Sequence, residues 1–266
     1  MQGTSLYLPL ETAIHRLHPV AKVLGLLILF VPALAFNDPI WLGALLGCSV
    51  LLLLAAGGGE NLRRMGSFLL VLFVMASLMW SLFMVDLQEP HVLLVLGPVT
   101  ISRESLLYGV AMGCRVSSLL VVGLCFITTT RPEEFTYALR RLGAPAPLTL
   151  ALSLSFRLLP TFAGTVTTVK DAQQARGLEL GRGGPIRRMR NYVSLVAPAF
   201  GYALRQADDL SRALEARGVM STGLKTEYRV FTVRPVDWVT VVGLVLVAAG
   251  SVWLRTLGYG ELLERM

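Results

Sequence analysis

Charge is scarce in this sequence. Only 15% of the 266 residues are Asp, Glu, Lys or Arg, against roughly 25% in an average soluble protein. Hydrophobic residues make up 54%, and the mean hydropathy is +0.64, which excludes an ordinary water-soluble domain. Cysteine is nearly absent: Cys48, Cys114 and Cys125 sit in apolar runs without CxxC spacing, so neither a disulfide framework nor a zinc site is built here. The three histidines, His15, His18 and His91, stand at the borders of apolar runs without ligand spacing, so no metal residue is assigned. There is no G-x-x-x-x-G-K-[ST] loop, because the clusters at Gly57–Glu60 and Gly181–Gly184 lack the Lys that would follow. H-E-x-x-H and G-x-S-x-G are missing too, and no catalytic residue or cofactor is assigned.

Apolar runs of membrane-crossing length, about 20 residues, are present instead. They cover Val20–Phe36, Ile40–Ala56, Ser67–Val85, Ser105–Thr128 and Val236–Leu254. Asn37-Asp38-Pro39 separates the first two, and Gly57-Gly58-Gly59 ends the second. With such short connections the first three helices are expected to form a compact serpentine. Ala33-Leu34-Ala35 fits the cleavage pattern of a signal peptide, but Glu11 and the long lead before the run make a poor positively charged region.

A net charge of +7 in so apolar a chain points to membrane orientation before nucleic acid, and no nucleic-acid partner is expected. Arg16 and Lys22 stand at the start of the first run, and Arg63 and Arg64 between the second and third. The connections after the first and third hold only Arg103. Positive residues stay on the cytoplasmic side, so the N-terminus is expected there. Between Arg131 and Arg234 lie 16 of the 24 basic residues against eight acids, which makes that segment cytoplasmic as well.

Two stretches within it, Leu148–Val169 and Tyr192–Leu204, are apolar enough to suggest a transmembrane hairpin. That arrangement would put Lys170, Arg176, Arg182, Arg187, Arg188 and Arg190 outside in one loop, against the positive-inside pattern. Both stretches also turn polar toward their C-terminal ends. They are read as two long helices that finish in water, each bent or interrupted near Pro160 or Pro198.

A short helix precedes them. Thr130 and Glu133 have capping-box spacing, and Phe135, Leu139 and Leu142 form one apolar stripe suited to a bundle or a partner. Gly143 and Pro145 stop it. More informative is a repeated ending, Gln174-Ala175-Arg176-Gly177 and Glu215-Ala216-Arg217-Gly218. Gly permits the left-handed backbone that ends a helix, and a basic residue suits the negative end of its dipole. Two identical guanidinium groups on one segment also suit two-point attachment to a symmetric acidic partner, because Arg pairs bidentately with carboxylates. Arg115, inside the fourth run, must face the bundle or a partner. An internal strut on backbone carbonyls or on Asp86 is the favoured reading, and Gly109, Ala111, Gly113 and Gly123 on the same run permit close helix contact.

Taken together, the chain resembles the transmembrane T component of energy-coupling factor (ECF) transporters, bacterial ABC-type importers (the EcfT/CbiQ-like family). The similar stretches are His15–Lys22, Thr129–Glu134, Ser155–Pro160 and both Ala-Arg-Gly endings. One departure is His18, where the family more often has Asp before the Pro. The resemblance implies an all-α integral membrane protein of about five transmembrane helices, with a cytoplasmic coupling module of one short and two long helices. The chain would divide into a transmembrane bundle (1–128), a coupling domain (129–235) and a last transmembrane helix with a short tail (236–266). It further implies that Ala175, Arg176 and Gly177 dock on one ABC-type ATPase and Ala216, Arg217 and Gly218 on a second. ATP would be bound by those partners, and a small substrate-binding membrane subunit would capture a vitamin or a transition-metal ion. Ala172-Gln173 leans toward the vitamin type. The implied location is the bacterial cytoplasmic membrane. The alternative is a self-contained secondary transporter or channel, for which the chain offers one intramembrane charge, Arg115.

Overall fold

The computed structural model describes residues 10, 12–83, 92–96, 99–178, 184–219 and 231–257. Among them are eight helices: α1 (Pro19–Ala35), α2 (Pro39–Ala55), α3 (Gly59–Phe83), α4 (Arg103–Thr129), α5 (Pro132–Arg141), α6 (Ala146–Ala175), α7 (Pro185–Ala216) and α8 (Pro235–Thr256). A small antiparallel hairpin, β1 (Val92–Leu96) and β2 (Val99–Ser102), precedes α4 and pairs Leu96 with Val99 and Val95 with Thr100. The sequence reading did not foresee it, although its β-branched residues favour strands. Asp86, the carboxylate weighed as a partner for Arg115, lies outside the described residues.

The helices fall into two compact units, residues 1–144 with 231–266, and residues 145–230. In the first, α4 is the central element and packs on α1, α2 and α3, while α1 also packs on α8 and α5. The first three helices therefore share α4 rather than stacking in series. Small residues explain why α4 takes that place. A Cβ on Gly109 would come within 2.5 Å of Ser77 O, and one on Gly113 within 3.0 Å of the Phe73 ring, so two small residues four apart set the approach of α3. Around them, Ala111, Cys114, Phe36 and Leu42 form one buried cluster, and Leu53, Val121 and Leu124 another. Asn61 on α3, 1% exposed, donates to Thr128 Oγ1 on α4 at 2.9 Å. α3 begins at Gly59, so Arg63 and Arg64 are helical residues rather than a loop.

By length and composition α3, α4, α6 and α8 can each cross a membrane; α1 and α2, with 17 residues each, are apolar but shorter. The family of exposed apolar side chains on α2, α3 and α8, such as Ile40, Leu70 and Leu246, suits a lipid environment rather than water. α5 belongs to the same compact unit as the bundle, which continues through Ala144.

The second unit is the α6–α7 pair, where Thr149 and Ala199 are among the buried residues. Both helices run through their internal prolines, Pro160 and Pro198, without interruption. A proline removes one backbone hydrogen bond and commonly bends a helix; over 30 and 32 residues the remaining ladder is long enough to hold.

Candidate functional site

α6 and α7 end in the same way. Arg176 and Arg217 are the C-cap residues, with φ/ψ of −83°/8° and −88°/3°, and the glycines after them take positive φ, 90° at Gly177 and 66° at Gly218. The Gly177 N–H donates to Gln174 O at 2.9 Å and the Leu178 N–H to Gln173 O at 3.0 Å. In α7 the matching bonds run from Gly218 to Glu215 O at 2.9 Å and from Val219 to Leu214 O at 3.1 Å. This is the Schellman arrangement, which satisfies carbonyls left over at a helix end. Burial repeats as well: Ala-Arg-Gly is exposed in both, while Gln173, Leu178, Leu214 and Val219 are half-buried. Among the described residues neither guanidinium has a hydrogen-bond or ion-pair partner.

Gly57 and Gly143 stop α2 and α5 with the same pair of hydrogen bonds, behind Ala56 and Leu142. The turn itself is thus the general way this chain ends a helix. What sets the ends of α6 and α7 apart is the exposed Arg at the cap, directly before the turn. Such a group can make a bidentate pair with a carboxylate and has no reactive chemistry of its own.

At one end of the bundle the starts of α1 and α8 meet the end of α4 and the whole of α5. Lys22, with a side chain 3% exposed, donates through Nζ to Thr129 O and to Glu134 Oε2, both at 2.9 Å. It therefore fastens α1 to α4 and α5. The His18 ring caps α1 through Nδ1, which accepts the Val20 N–H at 3.3 Å, and the backbone N–H of His18 donates to Asp237 Oδ1 at 2.8 Å. Asp237 Oδ2 accepts the Arg234 N–H at 2.7 Å. A carboxylate from α8 thus serves the start of α1 in a chain that has His at position 18. The sequence gives no sign of Asp237 and Asn61 and assigns Glu134 no partner, because their partners lie far away along the chain. Lys22 enters the sequence analysis as an orienting charge and as the end of the His15–Lys22 stretch, without a partner.

The capping box does not form. Pro132 is the first residue of α5, which places the N-cap at Arg131, one position after Thr130. Thr130 Oγ1 is buried without a hydrogen-bond partner. The apolar stripe is also displaced. Phe135 meets the Phe126 ring at 5.9 Å and Leu139 is half-buried, but Leu142 is 45% exposed, and the fully buried positions are Thr136 and Ala138. Leu142 is the C-cap residue just past the end of α5, and Glu134 on the same helix reaches Lys22.

Arg115 binds the C-terminal end of α1. Its Nε donates to Ala33 O at 2.9 Å, and Nη2 donates to Phe36 O and, at 2.6 Å, to Asn37 Oδ1. Nη1 lies 3.2 Å from Met112 Sδ. A cation at the negative end of a helix satisfies both the dipole and the unpaired carbonyls. Among the described residues no group of three or more His, Cys, Asp or Glu converges to hold a metal.

Known proteins resemble this chain over most of its length. The family model described as CbiQ, cobalt transport protein, matches residues 11–226, a span that includes both Ala-Arg-Gly ends. The chain is 29% identical to the energy-coupling factor transporter transmembrane protein EcfT of Thermosediminibacter oceani, over 94% of this chain and 96% of that one. It is 30% identical to EcfT of Lactococcus lactis subsp. cremoris, over 90% and 92%. A Bifidobacterium longum protein named as an ABC transporter ATP-binding protein is 32% identical over 92% of this chain, which spans only 32% of that protein's length. The chain belongs to the CbiQ/EcfT family, the transmembrane energy-coupling components of ECF transporters.

Proposed function

We propose that this chain is a non-enzymatic coupling subunit that joins two ABC-type ATPases to a small substrate-binding membrane protein. The observation that carries the reading is the matched pair of helix ends, with Arg176 and Arg217 each exposed behind a Schellman turn. Ala175, Arg176 and Gly177 dock on one ATPase and Ala216, Arg217 and Gly218 on the other. The match to a region of a protein named as an ATP-binding protein supports the association with ATPases. ATP is bound and hydrolysed by those partners.

The membrane is the bacterial cytoplasmic (inner) membrane. The N-terminus is cytoplasmic, since Arg16, Lys22, Arg131, Arg140, Arg141 and Arg234 gather where α1 and α8 begin. The same count keeps α6 on the cytoplasmic side despite its apolar length. The substrate is a vitamin or a transition-metal ion, recognised by the capture subunit rather than by this chain.

The test is reconstitution. In vesicles, uptake should require this chain, the ATPase pair and the capture subunit together with ATP. Uptake by this chain alone, driven by an ion gradient, would replace the coupling reading with that of a self-contained transporter.

A further inference from the structure

The chain passes from the first compact unit to the second between Ala144 and Pro145 and returns before Phe231. Within the first unit, both crossings are fastened to the start of α1. On the outgoing side stands α5, the last helix before Ala144, and its Glu134 accepts from Lys22 Nζ at 2.9 Å. On the returning side Asp237, in the first turn of α8, accepts the His18 backbone N–H at 2.8 Å, and the His18 ring lies 6.3 Å from Phe231. Tyr137 on α5 joins the two sides, its ring 6.0 Å from His18 and 4.8 Å from Phe231.

Polar anchors fix what apolar packing leaves free. Apolar contact has no direction, and packed helices can slide past one another by small amounts. Lys22 has acceptors on two different elements, Thr129 O at the end of α4 and Glu134 Oε2 on α5. Sliding of α5 along α1 would strip one acceptor from a cation that is almost closed off from water. Asp237 is bound at both oxygens in the same way, by the N–H groups of His18 and Arg234. A buried ion pair is weak ground for stability, since an apolar pair of similar volume often holds as well. Its distinctive effect is to allow one register.

We infer that Lys22 and Glu134 are positioning residues for coupling: they lock α5 to α1 and α4, so that a displacement of residues 145–230 is passed to the bundle instead of being lost as slippage of α5. The inference rests on the coupling function proposed above. It gives the pair a part in transmission, separate from the docking at the two Ala-Arg-Gly ends and from substrate capture.

Register and stability can be separated by experiment. In vesicles holding the whole transporter, uptake and ATP hydrolysis are measured together for the wild type, Lys22→Met/Glu134→Leu and Gly109→Ala. The double variant exchanges the ion pair for an apolar one, whereas Gly109→Ala strains the contact of α4 with α3, away from the anchors. Uptake per ATP hydrolysed should fall by about five-fold or more in the double variant, the low end of coupling between distant sites, with the ATPases still copurifying. It should stay at the wild-type level in Gly109→Ala. Should the double variant fail to fold, Glu134→Asp, which keeps the charge but shortens its reach, should show the same fall. A wild-type ratio in Lys22→Met/Glu134→Leu, or in Glu134→Asp where that variant stands in, or an equal fall in Gly109→Ala, would overturn the inference and leave the pair a structural strut. Lack of ATP-driven uptake in the wild type would overturn the coupling function itself, and this inference with it.

Discussion

Lys22 and Glu134 meet at 2.9 Å in a space almost closed to solvent, the one at the start of α1 and the other in the first turns of α5. Two stretches that carry the family resemblance, His15–Lys22 and Thr129–Glu134, are thus in contact. The pair joins the bundle to the last helix before residues 145–230.

Breaking one side of a buried pair leaves the other charge uncompensated and costs about 3–5 kcal/mol. Lys22→Met and Glu134→Gln should each lower the melting temperature of the detergent-solubilised protein by several degrees. The double variant Lys22→Met/Glu134→Leu should recover most of the loss. Unchanged melting in both single variants would mean that the pair carries no load.

Gly109 and Gly123, on the same helix, predict opposite outcomes. A Cβ at Gly109 meets Ser77 O at 2.5 Å, which is backbone and cannot step aside, whereas one at Gly123 meets nothing within 4 Å. Gly109→Ala should destabilise the bundle by about 1–3 kcal/mol through overpacking. Gly123→Ala should be neutral or slightly stabilising, since Ala is the better helix former. Thermal unfolding of the two variants side by side decides the matter.

Arg115 should matter for folding rather than for coupling. Arg115→Met leaves the Ala33 and Phe36 carbonyls without their donor, at about 1–3 kcal/mol for each buried group unsatisfied. Expression level and melting temperature should fall, while whatever folds should still carry its partners. A variant that is normally stable but inactive in transport would instead place Arg115 in a transport pathway.

Helix stops are the most legible feature of the sequence, because a Gly just after the last helical residues acts through its own backbone. Gly177, Gly218 and Gly143 all take the left-handed conformation. Partners distant in the chain were not legible. Arg115 reaches groups 78 to 82 residues away, two of them backbone carbonyls that leave no mark in a sequence. Asp237 lies 219 residues from His18, and only the fold brings the two together. The capping box failed for a local reason: Pro132 fixes the first helical residue and leaves Thr130 outside the cap. Leu142 is exposed just past the end of α5, where an apolar count alone does not register that the helix has stopped.

The turns behind the two arginines can be tested without any partner. At positive φ a side chain costs about 1 kcal/mol, and space is not the obstacle at Gly177, where a Cβ would meet nothing within 4 Å. Gly177→Ala should therefore fray the last turn of α6, seen as faster hydrogen exchange over residues 172–176 and faster tryptic cleavage after Arg176. Gly177→Asn should be milder, since Asn tolerates this conformation. Identical exchange in all three proteins would show that the turn is not rigid.

On the proposed function, Arg176 and Arg217 act as two halves of one attachment. α6 and α7, of 30 and 32 residues, are about 45 and 48 Å long, and each ends on the same exposed guanidinium. Losing one partner of a desolvated charge pair costs about 2–5 kcal/mol, enough to weaken a two-site complex severely at one site and to dissolve it at both. The most direct measurement is the amount of ATPase that copurifies with a tagged chain from cells expressing the whole transporter, compared across Arg176→Ala, Arg217→Ala, the double variant and the two Lys replacements. The expected result is a marked drop in each single Ala variant, loss of the ATPases in the double variant, and poor rescue by Lys, which keeps the charge but lacks the planar fork. Full recovery of both ATPases with the double Ala variant would contradict it and leave the two ends as ordinary helix caps.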